Sequence, residues 1–140
     1  MSSAVLSDVS RSGVYSLTPS NRQGLEAETA GFAYFQVNLS GLKSKAAVLD
    51  KIGSALDFPQ YYGKNFDALN DCLSDLEWQP ANGYVLFVDG ARAFHDADPK
   101  NFAILLEVFQ SAAETWRDAG KPFWVLLDIS IPGVQTFRQP

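Results

Sequence analysis

The sequence predicts an α/β domain: a small parallel sheet covered by helices. Two observations carry this expectation. The runs Tyr84 to Val88 (YVLFV) and Phe123 to Leu127 (FWVLL) are continuously apolar, without the alternation of a strand that keeps one face in water, so both of their faces should be covered. Segments of helical periodicity separate these runs from each other and from a third strand-like segment, Phe32 to Leu39 (FAYFQVNL), giving the order βα, α, β, α, β. At 140 residues and 46% hydrophobic content, the chain can bury one core.

The elements follow in order. Residues 1 to 19 are Ser-rich and weakly patterned, with Gly13, Val14 and Tyr15 the candidate for a short edge strand. Ser20 followed by Gln23 reads as a capping box, opening a short helix through Leu25, Ala27 and Ala30 that Gly31 stops. After the first strand, Ser44 can cap a helix in which Val48 or Leu49, Ile52 and Leu56 recur at helical spacing, and Phe58-Pro59 ends it. Asn65 can cap the next helix, where Phe66, Leu69, Leu73 and Leu76 form the inward stripe with Cys72 beside it. Asp98 before Pro99 is a cap followed by proline at the first helical position. The long helix it opens buries Phe102, Leu105, Phe109, Ala112 and Trp116 and closes at Gly120. Phe94 and His95, in the polar run FHDADPK, read as loop before the Asp98 cap, and Ile129 to Pro140 as a tail.

Charge is concentrated in one segment. Between Asp57 and Asp98 stand eight acidic residues against Lys64 and Arg92, whereas the rest of the chain balances eight acids with nine bases. A field of that sign repels nucleic acid and anionic membrane and speeds encounter with a basic partner. Within the segment, Asp67, Asp71 and Asp75 follow one another at four-residue steps on the capped helix. Each step turns only about 40°, so the three carboxylates share a face, with Asn70 and Ser74 filling it in. Like charges at this spacing cost about 0.2–0.5 kcal/mol per pair. No Lys or Arg at i+4 offsets them, and Asp75 and Glu77 sit where the helix dipole disfavours anions. The bland reading is a solvated helix face. The sharper one is a ridge kept acidic for a partner, with Tyr61, Tyr62 and Gly63 as its shoulder.

Other function classes find little support. Cys72 is the sole cysteine and His95 the sole histidine, so neither an internal disulfide nor a Cys/His zinc site can be built. Cys72 falls on the apolar side of its helix, where a thiol serves as a small hydrophobe. A convex acidic stripe lacks the cleft that separates two carboxylate pKa values for acid/base catalysis, and there is no EF-hand loop. No GxGxxG, P-loop, GxSxG or basic patch occurs. No catalytic residue, metal site or cofactor is therefore expected. The aromatic spacing of Phe102, Phe109, Trp116, Phe123 and Trp124 is that of core stripes. Trp78 can equally cover the helix end or join a contact surface. With no apolar run long enough for a signal or a membrane span, the expectation is a cytoplasmic chain with no membrane contact, monomeric when free.

The stretch FPQYYGKNFDALNDCLSDLEW, residues 58 to 78, resembles the signature of the barstar family, intracellular inhibitors of barnase-type microbial ribonucleases. The resemblance spans about Phe32 to Asp128, since the flanking strands and long helix fall in the family's order. It implies a barstar-like domain over residues 32 to 128 with a three-stranded parallel sheet covered by helices, an N-terminal extension over 1 to 31 with a possible short strand and helix, and a C-terminal tail over 129 to 140.

The resemblance also implies a partner: a basic, secreted-type ribonuclease of the guanyl-specific kind, blocked by an acidic helix that imitates RNA phosphates, with no nucleic acid bound directly. The site it implies comprises Tyr61, Gly63, Asn65, Asp67, Asn70, Asp71 and Asp75. Asp71 would enter the nuclease's phosphate site and Asp67 would pair a basic group beside it. Tyr61 would pack on the active-site rim. Two positions depart from the family's namesake, with Asn70 where it has tryptophan and Ser111 where it has glutamate; both remove contacts expected with the namesake's own nuclease. The alternative is an acidic interaction module whose basic partner is not a ribonuclease.

Overall fold

The computed structural model describes residues 4–18, 31–59, 63, 65–76 and 79–137. Its four strands are β1 (Val14–Ser16), β2 (Ala33–Asn38), β3 (Tyr84–Asp89) and β4 (Phe123–Leu127), all parallel, in the order β1-β4-β3-β2. Its helices are α1 (Ala4–Ser7), α2 (Lys45–Ala55), α3 (Phe66–Asp75), α4 (Arg92–Ala97) and α5 (Pro99–Asp118). The sheet carries one strand more than the three expected, and the addition is the short edge strand at Val14, held by Val125 N–H to Gly13 C=O at 2.9 Å.

The strand period of two sorts the central side chains onto two faces. Tyr84, Leu86 and Val88 of β3, with Phe123, Val125 and Leu127 of β4, join the main core under α2, α3 and α5. Val85, Phe87, Trp124 and Leu126 point the other way, into a second cluster with Leu6, Leu17 and Phe137. Every residue of β4 is buried, as the continuous apolar run requires. On the second face Tyr15, Trp124 and Phe137 form a triangle of rings with centroids 5.6 to 5.8 Å apart, and the Trp124 indole donates to Leu6 C=O at 2.9 Å. That bond satisfies a polar atom that burial would otherwise make costly.

The helices start where the caps require. Ser44 Oγ accepts from Ala47 N–H at 3.2 Å, and Asp98 Oδ1 accepts from Asn101 N–H at 3.2 Å with Pro99 in the first turn. Phe94 and His95 do not lie in the expected loop but within a helix of residues 92 to 97. This is α4, six residues with no side-chain cap, too short for periodicity to reveal. Burial of Phe94 against Phe102, ring centroids 6.1 Å apart, holds the helix in place of any local signal. The short α1 was likewise invisible in a Ser-rich stretch. The helix expected from Ser20 to Ala30 lies outside the described residues.

At the carboxyl end of the sheet the chain passes close to itself. Gly90 has φ +69°, and a Cβ there would stand 2.6 Å from Ser40 Cα, so only glycine fits. Its N–H donates to Asp128 Oδ2 at 2.8 Å, tying β3 to the end of β4.

Candidate protein-binding interface

The acidic helix α3 is built for attachment on one side and exposure on the other. Asn65 takes extended backbone angles, and its Oδ1 accepts from Ala68 N–H at 2.7 Å, satisfying one of the orphan donors of the first turn. Leu69, Cys72 and Leu73 are buried, with Phe66 packed partly against them. The helix stops at Leu76, a buried side chain whose backbone is left-handed at φ 47°, a conformation that leucine holds only because its burial outweighs the strain. The Trp116 indole donates to Leu73 C=O at 2.7 Å, fastening the last turn of α3 to α5.

Asp67, Asp71 and Asp75 are all exposed on the outer face, rising about 6 Å per step along the axis. Among the described residues none of the three has an ion-pair partner. Asp67 lies in the first turn, where the helix dipole favours it, whereas Asp75 closes the helix with no basic residue in the last turn. The field of this ridge reaches the core: burial first, then the charges of Asp71 and Asp75, push the Cys72 thiol above its ordinary value. A buried thiol of that kind is a core side chain, not a nucleophile.

The other expected site residues fall around this face. Gly63 is exposed, and a Cβ there would meet Asn65 Nδ2 at 3.4 Å and Ala68 Cβ at 3.8 Å, ordinary contacts, so packing among the described residues does not demand glycine at 63. Tyr61, expected on the shoulder, and Trp78 lie outside the described residues. Asn70 is half-buried, turned from the ridge toward α5, and its Oδ1 is enclosed without a hydrogen-bond partner; so is Ser74 Oγ one turn on. Asn70 lines a groove of about 230 Å³ between the two helices, with Asp67 from α3 and Ile104, Glu107 and Ser111 from α5. Sequence reasoning named Ser111 but missed Glu107. The signal was present: residues 104, 107, 108 and 111 recur at helical spacing beside the buried stripe.

Among the described residues no three His, Cys, Asp or Glu side chains gather so as to hold a metal ion, and no helix is long and apolar enough to cross a membrane. His95 pairs with its neighbour, Nδ1 to Asp96 Oδ1 at 3.0 Å, and stacks edge-on against Phe102, so it is not matched to Cys72 as an acid/base dyad.

A family model described as Barstar (barnase inhibitor) matches residues 32–128. The chain belongs to the barstar family. A curated relative, the "Putative ribonuclease inhibitor YrdF" of Bacillus subtilis strain 168, is 35% identical over 72 residues, covering 51% of this chain and 76% of the relative. The matched segment holds β2 to β4 and every helix from α2 to α5. Leu6, Leu17 and Phe137, which cover the second face of the barstar sheet here, and the edge strand β1 all lie outside it.

Proposed function

We propose that this protein inhibits a microbial ribonuclease of the barnase type, guanyl-specific, by presenting Asp67, Asp71 and Asp75 as a decoy for the phosphates of RNA. The observation that carries the reading is that three exposed carboxylates, without counter-ions among the described residues, are held on one helix face whose opposite face is locked into the core. Membership of the barstar family and the name of the Bacillus relative support the inhibitor role. Fixed negative charge raises the association rate with a cationic active site, and rigidity limits the ordering cost on binding. The protein needs no chemistry of its own; it occludes.

In this reading Asp71 enters the phosphate site, Asp67 pairs a neighbouring base and Asp75 steers from the rim. Gly63 leaves the backbone open at a place where the described residues would accept a side chain, which fits close approach by a partner. Asn65 holds the helix start and stands at the edge of the contact, with Tyr61 as the aromatic shoulder. Asn70 lines the groove beside the ridge, where tryptophan would have filled the space, so the cognate nuclease is one whose rim fits that groove. The protein acts as a monomer, inside the cell that makes the nuclease.

The test is a titration of ribonuclease activity. A ribonuclease captured on this protein from its native source should lose activity linearly to a one-to-one end point. Capture of a basic protein with no loss of ribonuclease activity at saturation would leave the ridge as an interaction module of another kind and refute the inhibitor reading.

A further inference from the structure

A second site stands on a different flank of α5, about 120° round the helix from the groove beside the ridge. It is a cavity of about 260 Å³ lined by Gly13, Val14, Glu114, Arg117, Gly133 and Gln135 among others. Only Glu114 and Arg117 of these six belong to the segment that matches the family; the flanks before and after it supply the rest. The volume equals roughly eight or nine waters at about 30 Å³ each, below the ~300–1,000 Å³ of sites for drug-sized ligands. Whatever it holds is small.

Its chemistry is specific. Arg117 donates from Nη2 to Ser12 C=O, while its Nε is enclosed with no partner. A guanidinium has five donors in a fixed fork that matches a carboxylate. Glu114 lines the same cavity one turn earlier, exposed, and among the described residues the two charges form no ion pair with each other. The sheet adds a third element. In β1 the C=O of Gly13 and the N–H of Leu17 are used by β4, so Val14 and Ser16 turn their polar groups the other way. Ser16 is met by the tail, donating to Gln135 C=O at 2.8 Å and accepting from Phe137 N–H at 2.7 Å. The tail joins β1 from Gln135 onward, and Val14, its N–H and C=O turned away from β4, lines the cavity beside that junction.

We infer that this cavity binds a free α-amino acid, its carboxylate on the Arg117 guanidinium and its ammonium on Glu114 and the C=O of Val14. A lone anion entering the cavity would be repelled by Glu114 and a lone cation by Arg117. A zwitterion neutralises both and bridges two charges that do not reach each other. The polar walls, completed by Gln110 and Gln135, suit such a ligand better than an apolar one.

Nuclear magnetic resonance on the full ¹⁵N-labelled chain tests this. Each of the free L-amino acids is titrated in turn, and for any that binds, its N-acetyl and carboxamide derivatives follow. At least one amino acid should move the amide resonances of Val14, Gly133 and Gln135 saturably. Removing either charge from the ligand, or introducing Glu114→Gln, should weaken it at least about tenfold, the scale of one lost charge-assisted hydrogen bond. Arg117→Lys, which keeps the charge without the fork, should weaken it too. Glu114 is exposed, and among the described residues it makes no hydrogen bond or ion pair, so its variant should fold. Absence of saturable shifts with every amino acid overturns the proposal, and so does equal binding by an N-acetyl or carboxamide derivative.

Discussion

The indole nitrogen of Trp116 lies 2.7 Å from the carbonyl oxygen of Leu73, so the one long helix of the domain holds the last turn of the acidic helix directly. The ring also rests 4.9 Å from that of Tyr84, whose hydroxyl donates to Gln79 C=O at 2.9 Å just beyond the helix end. Trp116→Phe keeps an aromatic ring in place and removes the donor. It should lower the unfolding free energy by about 1–3 kcal/mol, the cost of an acceptor left unsatisfied away from water, with little change in the urea m-value. Equilibrium urea denaturation measures both.

The start of the same helix depends on Asn65. Asn65→Ala should destabilise the protein by about 0.5–2 kcal/mol, because Ala68 N–H loses its acceptor, while Asn65→Asp should be nearly neutral for stability. If the side chain also contacts the partner, Asn65→Asp will change binding without changing the melting temperature. Thermal denaturation and binding measured on the same two variants separate the cap from the contact.

The Cys72 thiol reports the field of the ridge. Its raised pKa means that the thiolate is disfavoured in the folded state, so stability is full below the ordinary thiol value and is lost as pH rises past it. Asp71→Asn and Asp75→Asn should each lower that pKa, since each removes a negative charge that raises it. Ultraviolet titration of the thiolate absorbance in wild type and the two variants checks the direction.

At acid pH the cap of α5 supplies the opposite sign. Hydrogen bonds from the Asn101 side chain and backbone, then the nearby lysines Lys100 and Lys45, hold the Asp98 carboxyl below its ordinary value. Its contribution is present above the unfolded-state pKa and is lost as pH falls through the folded one. Asp98→Asn retains a cap residue but cannot titrate, so its urea midpoint should fall less than that of wild type between neutral pH and about pH 3. Equal falls would assign the acid sensitivity elsewhere.

Much of this architecture was legible because the signals were local or strictly periodic. The caps at Ser44, Asn65 and Asp98, the runs at 84 and 123 and the stripe from Phe102 to Ala112 are each written in a few adjacent residues. What escaped was set by distant contacts. The helix at 92 to 97 exists because Phe94 is buried by Phe102, and the segment at 4 to 7 because Leu6 covers Trp124. The site divides in the same way. Spacing alone put Asp67, Asp71 and Asp75 on one face, but the groove that Asn70 shares with Glu107 and Ser111 needs two helices at a known register. No pattern within either helix specifies that register.

The most direct measurement compares wild type and Asp71→Ala for affinity to the ribonuclease this protein captures, with Asp75→Asn as the rim control at two ionic strengths. Truncating one partner of a desolvated charge pair generally costs about 2–5 kcal/mol, so Asp71→Ala should weaken binding about 30- to 4,000-fold, mainly through faster dissociation. Asp75→Asn should chiefly slow association and reduce its salt dependence. Inhibition by Asp71→Ala as tight as that by wild type would contradict the decoy account.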